Sequence, residues 1–275
     1  METYSYSKLS LFETCPHAYF ITYVLKQRSP DNIYSTLGST FHDLVEGMQQ
    51  GEIENEEAVE RFIDDVEFNE ILGLKFMSEK VKNNYVNSIV HFLKHFKPLD
   101  GEKIEIEKEF ELELEGFKLM GFIDMIIHRS DGTIDIYDFK TSSLYSKKDL
   151  PDKAKHLLIY ALAMEDEGFK INSVSWYMGK YAVIKTKRGS KTVLRSELVN
   201  QEYEECFVSY PCDEETKKSC LEWVYDTVRE IEKMDIFDTW EKIDRKNSFY
   251  CQNICCNPNC ERFKQLKIEF AKNNK

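Results

Sequence analysis

Met120-Gly-Phe-Ile-Asp124-Met-Ile-Ile-His128, an Asp131-Gly132 turn, and Thr133-Ile-Asp-Ile-Tyr-Asp138-Phe-Lys140-Thr141 form the stretch on which the fold of this chain turns. Apolar residues dominate Phe122 to Ile127 and return at Ile134, Ile136 and Phe139. An Asp-Gly pair between two such runs is a hairpin signal, so the stretch reads as two antiparallel strands. Asp138 and Lys140 are two apart and leave the same face of the second strand, and cross-strand pairing brings Asp124 toward them. Carboxylates are hard oxygen ligands suited to Mg2+ or Mn2+, and a lysine beside such an ion can orient or deprotonate a water. Asp-x-Lys alone is common on exposed strands. The Gly-x-x-Asp ahead of it and the Thr behind it favour a site.

Upstream, Ile104, Ile106, Phe110, Leu112 and Leu114 alternate with glutamates and a lysine, an outer strand that Gly116 links to the central one. Glu105, Glu107, Glu109, Glu111 and Glu113 read as its solvated face, with Glu109 able to approach the site. Asn55 to Lys97 has a helical pattern that ends at Pro98, an insertion over 52–98. Its His91 and His95 lie four apart without a third ligand and read as decoration of a packed helix. Leu37 to Val45 reads as a helix starting at Gly38 or Ser39. Ser5 to Thr14 reads as a short helix capped by Ser5 or Ser7, and Pro16 starts another.

Downstream, Lys153 to Glu167 is an expected helix with Leu157, Leu158, Tyr160, Ala161 and Met164 inward, closed by Gly168. Val174 to Met178 and Tyr181 to Lys187 read as a strand pair around Gly179-Lys180, followed by Thr192 to Leu198. Ser209 to Asp213 is a break, and Glu214 to Lys233 is a helix burying Leu221, Val224, Val228 and Ile231.

The 275 residues suit a single domain, 1–275, and no apolar run approaches membrane-spanning length. The first residues lack the features of a signal peptide, so a cytoplasmic setting is expected. There, eight cysteines read as ligands or buried thiols, not disulfides. Cys251, Cys255, Cys256 and Cys260 fall within ten residues, a metal or cluster signal. Cys206, Cys212 and Cys220 read as structural. A net charge of −12 argues against a protein that coats nucleic acid, yet a local basic groove can coexist with it. Lys147, Lys148, Lys153 and Lys155, then Lys180, Lys185, Lys187, Arg188 and Lys191, are candidates to line one.

Gly121-Phe-Ile-Asp124 followed by Asp138-Phe-Lys140-Thr141 resembles the core of the PD-(D/E)XK nucleases, specifically the RecB/AddB-type branch that includes the CRISPR-associated single-strand exonucleases. Gly38-x-x-x-His42 is similar to that family's first motif. Cys15-Pro16-x-x-Tyr19 is similar to the N-terminal segment of its iron–sulfur members. His156-x-x-x-Tyr160 stands where the branch has Gln-x-x-x-Tyr, with histidine replacing glutamine. The resemblance implies an α/β fold, a mixed central sheet flanked by helices, with the helical insertion and a terminal iron–sulfur region. It implies that His42, Asp124, Asp138 and the carbonyl of Phe139 hold Mg2+ or Mn2+, that Lys140 serves the attacking water, and that His156 and Tyr160 contact the substrate. It further implies a 4Fe–4S cluster on Cys15, Cys251, Cys255 and Cys260. Position 254, where the family's middle cysteine stands, is Ile here, which leaves Cys256 as the alternative to Cys255 and zinc as the alternative metal.

The expected activity is metal-dependent DNA cleavage. By the same resemblance it is an exonuclease on single strands or ends, with DNA and the proteins of recombination, repair or CRISPR adaptation as partners. Two other readings stand beside it: a non-catalytic DNA-binding or assembly subunit on the same scaffold, and a zinc-stabilised interaction protein.

Overall fold

A computed structural model describes residues 1–27, 30–236, 239–240, 250–258, 260–261 and 264. Among these, one mixed sheet contains β1 (Glu2–Tyr4), β2 (Lys103–Leu114), β3 (Phe117–His128), β4 (Thr133–Lys140), β5 (Lys170–Thr186), β6 (Gly189–Leu194) and β7 (Glu204–Tyr210). Helices α1 (Tyr6–Thr14), α2 (Pro16–Tyr19), α6 (Leu150–Asp166) and α7 (Glu214–Lys233) share a core with one face of the sheet. Helices α3 (Ile33–Gln50), α4 (Asn55–Ile71) and α5 (Glu79–His95) cover the other. This is the mixed α/β fold, sheet between helices, that the sequence implies. No described helix is long and apolar enough to cross a membrane.

The centre of the sheet is a fork. β2 pairs along one edge of β3, from Leu114 opposite Phe117 to Lys103 opposite His128. The other edge of β3 is shared, with β1 parallel along Phe117–Leu119 and β4 antiparallel along Met125–His128. Asp124 therefore sits where one partner has ended and the other is about to begin. It is also where β3 exchanges faces: Ile123 packs toward α6, and Met125, two residues on, packs toward α3–α5. β2 exchanges faces opposite it, with Ile106 toward α3–α5 and Phe110 toward α6. Between them Glu107 has φ 48°, a left-handed conformation that costs a non-glycine residue about 1–2 kcal/mol.

Three readings of the sequence are corrected. The helix expected from Gly38 begins at Ile33, because the Asn32 side chain accepts from the Tyr34 and Ser35 amides and Ser35 completes a capping box, leaving Gly38 inside α3. Gly179 is not a turn. It lies within the continuous β5, and a Cβ there would stand 2.5 Å from the Phe41 ring, so the glycine admits α3 against the sheet. β7, absent from the sequence reading, pairs with Val174–Tyr177 and Ala182–Val183 of β5, and its Ser209 and Tyr210 occupy the start of the expected break. The insertion is two helices, split at 72–78 and restarted by Ser78, whose side chain accepts from Val81 N–H.

Candidate active site

β4 leaves β3 after Tyr137 and continues alongside β5, with Asp138 opposite Trp176 and Lys140 opposite Met178. The Phe139 amide has thereby lost its partner on β3, and it donates to Asp124 Oδ2 at 2.7 Å. The carboxylate is thus fixed by the very divergence of the strands. From α3, His42 Nδ1 comes within 3.3 Å of the same oxygen. Lys140 Nζ sits 2.6 Å from Asp138 Oδ2.

Asp138 is fully buried, and neither of its oxygens accepts an aligned hydrogen bond among the described residues. His156 Nδ1 lies 3.3 Å from Asp138 Oδ1, and the other ring nitrogen of His156 is hydrogen-bonded with the Tyr160 hydroxyl. Tyr160 itself is 5% exposed, packed edge-on to Phe110 inside the α6-side core, and the His156 ring is stacked on Tyr6. The structure thus sets this pair beneath Asp138.

Electrostatics follow from burial. Burial, with Asp138 adding repulsion, raises the Asp124 carboxyl well above its ordinary range. Burial pushes Asp138 the same way, but Lys140 and then His156 outweigh it and hold this carboxyl below its ordinary value. The Lys140 ammonium is held above its usual range, because Asp138 and Asp124 overcome the cost of burying it. Burial lowers His42, and lowers His156 to about 4, which leaves His156 neutral at physiological pH.

The residue that sequence reasoning missed is Glu107, assigned there to the solvated face. Its carboxylate, His42 and Asp124 offer ligand atoms all within 4.8 Å of one another, the described residues' candidate metal set. Glu107 is exposed, as alternation expects, but alternation alone does not bring it beside Asp124. The signal was in the register: a tight turn at Glu115-Gly116 pairs Leu114 with Phe117, and counting back along that ladder puts position 107 opposite 124. Burial raises the Glu107 carboxyl, with Glu46 and Asp43 adding repulsion. A cleft lined by His42, Glu46, Glu107, Asp124 and Phe139 is therefore rich in oxygen ligands and short of positive charge, the donor chemistry of a hard divalent cation.

Cys15 N-caps α2, and Tyr250–Cys255 forms one wide helical turn. Burial raises the Cys255 thiol to about 11, and Cys15, Cys251 and Cys260 each push it further the same way. Cys256 points its sulfur at the Gln252 carbonyl, at 2.9 Å. Of the segment 251–260 only Asn259 lies outside the described residues.

A profile of the PD-(D/E)XK nuclease superfamily matches residues 3–260. Among solved structures, a candidate exonuclease from Eubacterium rectale is similar, with 13% identity, 84% of this chain and 80% of that one covered, and a TM-score of 0.47. The protein SSO0001 is similar with 15% identity, 86% and 79% covered, and a TM-score of 0.35. No curated protein matches the chain.

Proposed function

The chain belongs to the PD-(D/E)XK nuclease superfamily, and from that premise we propose that it hydrolyses phosphodiester bonds in DNA, as an exonuclease on single strands or ends. The observation that carries this is the fork, where Asp124 meets His42 and Glu107 and the Asp138–Lys140 pair acts on Asp124 electrostatically. His42, Asp124, Asp138 and the Phe139 carbonyl, with Glu107 added, would hold Mg2+ or Mn2+. Such an ion neutralises charge developing on the phosphate and acidifies its bound water. Lys140, kept charged by two carboxylates, is suited to orient the attacking water and to stabilise negative charge. His156 in place of the family's glutamine positions Asp138 from below, and Tyr160 supports His156.

We further propose a 4Fe–4S cluster on Cys15, Cys251, Cys255 and Cys260, a reading supported by the influence of the other three thiols on Cys255, with Cys255 favoured over Cys256. Its part would be to fasten the two ends of the chain around the core. A cytoplasmic protein working in recombination, repair or CRISPR adaptation completes the proposal.

The test is cleavage of labelled single- and double-stranded DNA in Mg2+, Mn2+ and EDTA by wild type and Asp138→Ala. Metal-dependent cutting lost in the variant is expected. DNA binding without any cutting would instead favour a non-catalytic subunit. Anaerobic preparations should be brown and lose colour in Cys255→Ser but not Cys256→Ser, whereas colourless protein with stoichiometric zinc would end the cluster reading.

A further inference from the structure

Beyond the end of β4, a groove of about 820 Å3 opens between α3, α5, β5 and the loop that follows Lys140. Phe139 lines the cleft and Thr141 lines the groove, so Lys140 lies between the two along the chain. Its walls carry Tyr34, Tyr85, Tyr145 and Tyr181 together with Lys153 and Lys180. The Tyr145 hydroxyl accepts from Ser142 at 3.3 Å and feels the charge of Lys140, which ties the groove electrically to the site. Opposite, Ile254 forms part of the wall, and its carbonyl accepts from Asn32 Nδ2 at 3.2 Å, so the cysteine-bearing segment is built into the groove.

Lys180 stands out among these groups. Its Nζ lies 5.4 Å from the Tyr85 ring centroid and 5.8 Å from that of Tyr181, and among the described residues it forms no ion pair with a carboxylate. Burial lowers this ammonium to about 8. A desolvated cation facing aromatic rings, without a protein counter-charge, is arranged for an anion that arrives from outside. Asp149, the carboxylate in the groove, is already engaged by the Ser146 hydroxyl at 2.6 Å.

We infer that this groove seats an unpaired stretch of the nucleic-acid strand being cut, with Lys180 on a backbone phosphate and Tyr181 and Tyr145 against bases. The inference rests on the nuclease reading of the neighbouring site. A base inside a duplex is already stacked on both faces and has none to offer a tyrosine, whereas an unpaired base does. Aromatic platforms beside a cation are how proteins hold single strands without reading sequence. In a chain of net charge −12 such a local cation also decides where a polyanion can approach.

The test uses full-length Asp138→Ala protein in EDTA, so that binding is read without cleavage. Anisotropy of a fluorescein-labelled oligothymidylate is compared with that of a blunt duplex at several salt concentrations. Adding Lys180→Ala should weaken single-strand binding about tenfold and flatten its log–log salt slope by about 0.7, the loss of one phosphate contact. Lys180→Arg should restore both. Tyr181→Ala should weaken binding by about fivefold or more with the slope unchanged. Thermal unfolding of each variant shows that the fold persists. Single-strand affinity within about twofold of the parent in Lys180→Ala, with the same slope, would overturn the inference. Failure of the nuclease reading looks different: wild type with Mn2+ leaves both DNAs whole while Lys180→Ala still releases the single strand, and the groove then stands without a cutter.

Discussion

Asp135 and Asp138 are three residues apart on β4 and both are buried, yet their surroundings are opposite. Asp135 accepts from Arg129 at 2.8 Å, Asn172 at 2.6 Å and Ser173 at 2.5 Å. Burial alone would raise its carboxyl, and those hydrogen bonds bring it below its ordinary value. Asp138 has charges near it and no aligned hydrogen bond among the described residues. Burial therefore does not mark the site. What marks it is a buried carboxylate paired with one ammonium and given no neutral donor among the described residues, a cost that persists in a fold only where something else uses it. The partner carboxylate sharpens the contrast, since Asp124 is pushed up while Asp138 is held down, the separation expected of groups with different tasks.

The largest expected effect falls on activity. Asp138→Ala should lower metal-dependent cleavage by at least about a hundred- to a thousandfold, far more than losing the Lys140 ion pair takes from the folded fraction. Asp135→Ala should do the reverse. Three donors lose their acceptor, and about 2–3 kcal/mol of stability goes with it, discounted because Arg129 is half exposed. At this chain length that is roughly 5–10 °C in melting temperature. The turnover rate of the folded fraction should stay near wild type. Equal losses of activity and stability in both variants would erase the distinction.

The two aspartates also divide what was legible in the sequence from what was not. Asp124, Asp138 and Lys140 could be placed on adjacent strands, because a hairpin turn and a two-residue period are local signals. The role of Asp135 was invisible, since Asn172 and Ser173 lie 37 and 38 residues away on β5. Glu107 is exposed as alternation expects, but its place beside Asp124 depends on the face exchange at the fork, which is imposed by the neighbouring layers. Gly179 was taken for a turn because a glycine needed for close approach to Phe41 has the same letter as one needed for positive φ. The gathering of Cys15 with the C-terminal thiols came from resemblance and not from spacing, because 236 positions separate Cys15 from Cys251. Local chemistry is written locally, and the rest depends on contacts made only after folding.

A smaller effect concerns pH. Because the folded protein holds Asp124 above the ordinary carboxyl range, it favours the neutral form. The stability associated with that form is present below the unfolded-state pKa and lost as pH rises through the raised folded value. In EDTA, Asp124→Asn should therefore melt above wild type at pH 8, by a few degrees for roughly 1 kcal/mol. The difference should close toward pH 4. Mn2+ should narrow it from the other side by stabilising wild type alone. A difference that does not change with pH would show that Asp124 is not carrying this penalty.

The smallest effect tests whether Asp138 can be made to resemble Asp135. His156 is neutral at physiological pH, and its Nδ1 is 3.3 Å from Asp138 Oδ1 but out of line for a hydrogen bond. A glutamine at this position carries a flexible amide that can donate to Asp138 as Asn172 donates to Asp135. His156→Gln should raise the melting temperature of the metal-free protein slightly, by about 1 kcal/mol or less. Cleavage should change by no more than about tenfold, since a positioning group is exchanged and no ligand is removed. His156→Ala should cost about ten- to a hundredfold, chiefly as weaker Mn2+ binding in calorimetry, because Asp138 then loses its orienting neighbour and Tyr160 its hydrogen-bond partner. If alanine and glutamine behave alike in both measurements, the ring is packing material beneath Tyr6, and Asp138 is positioned by Lys140 alone.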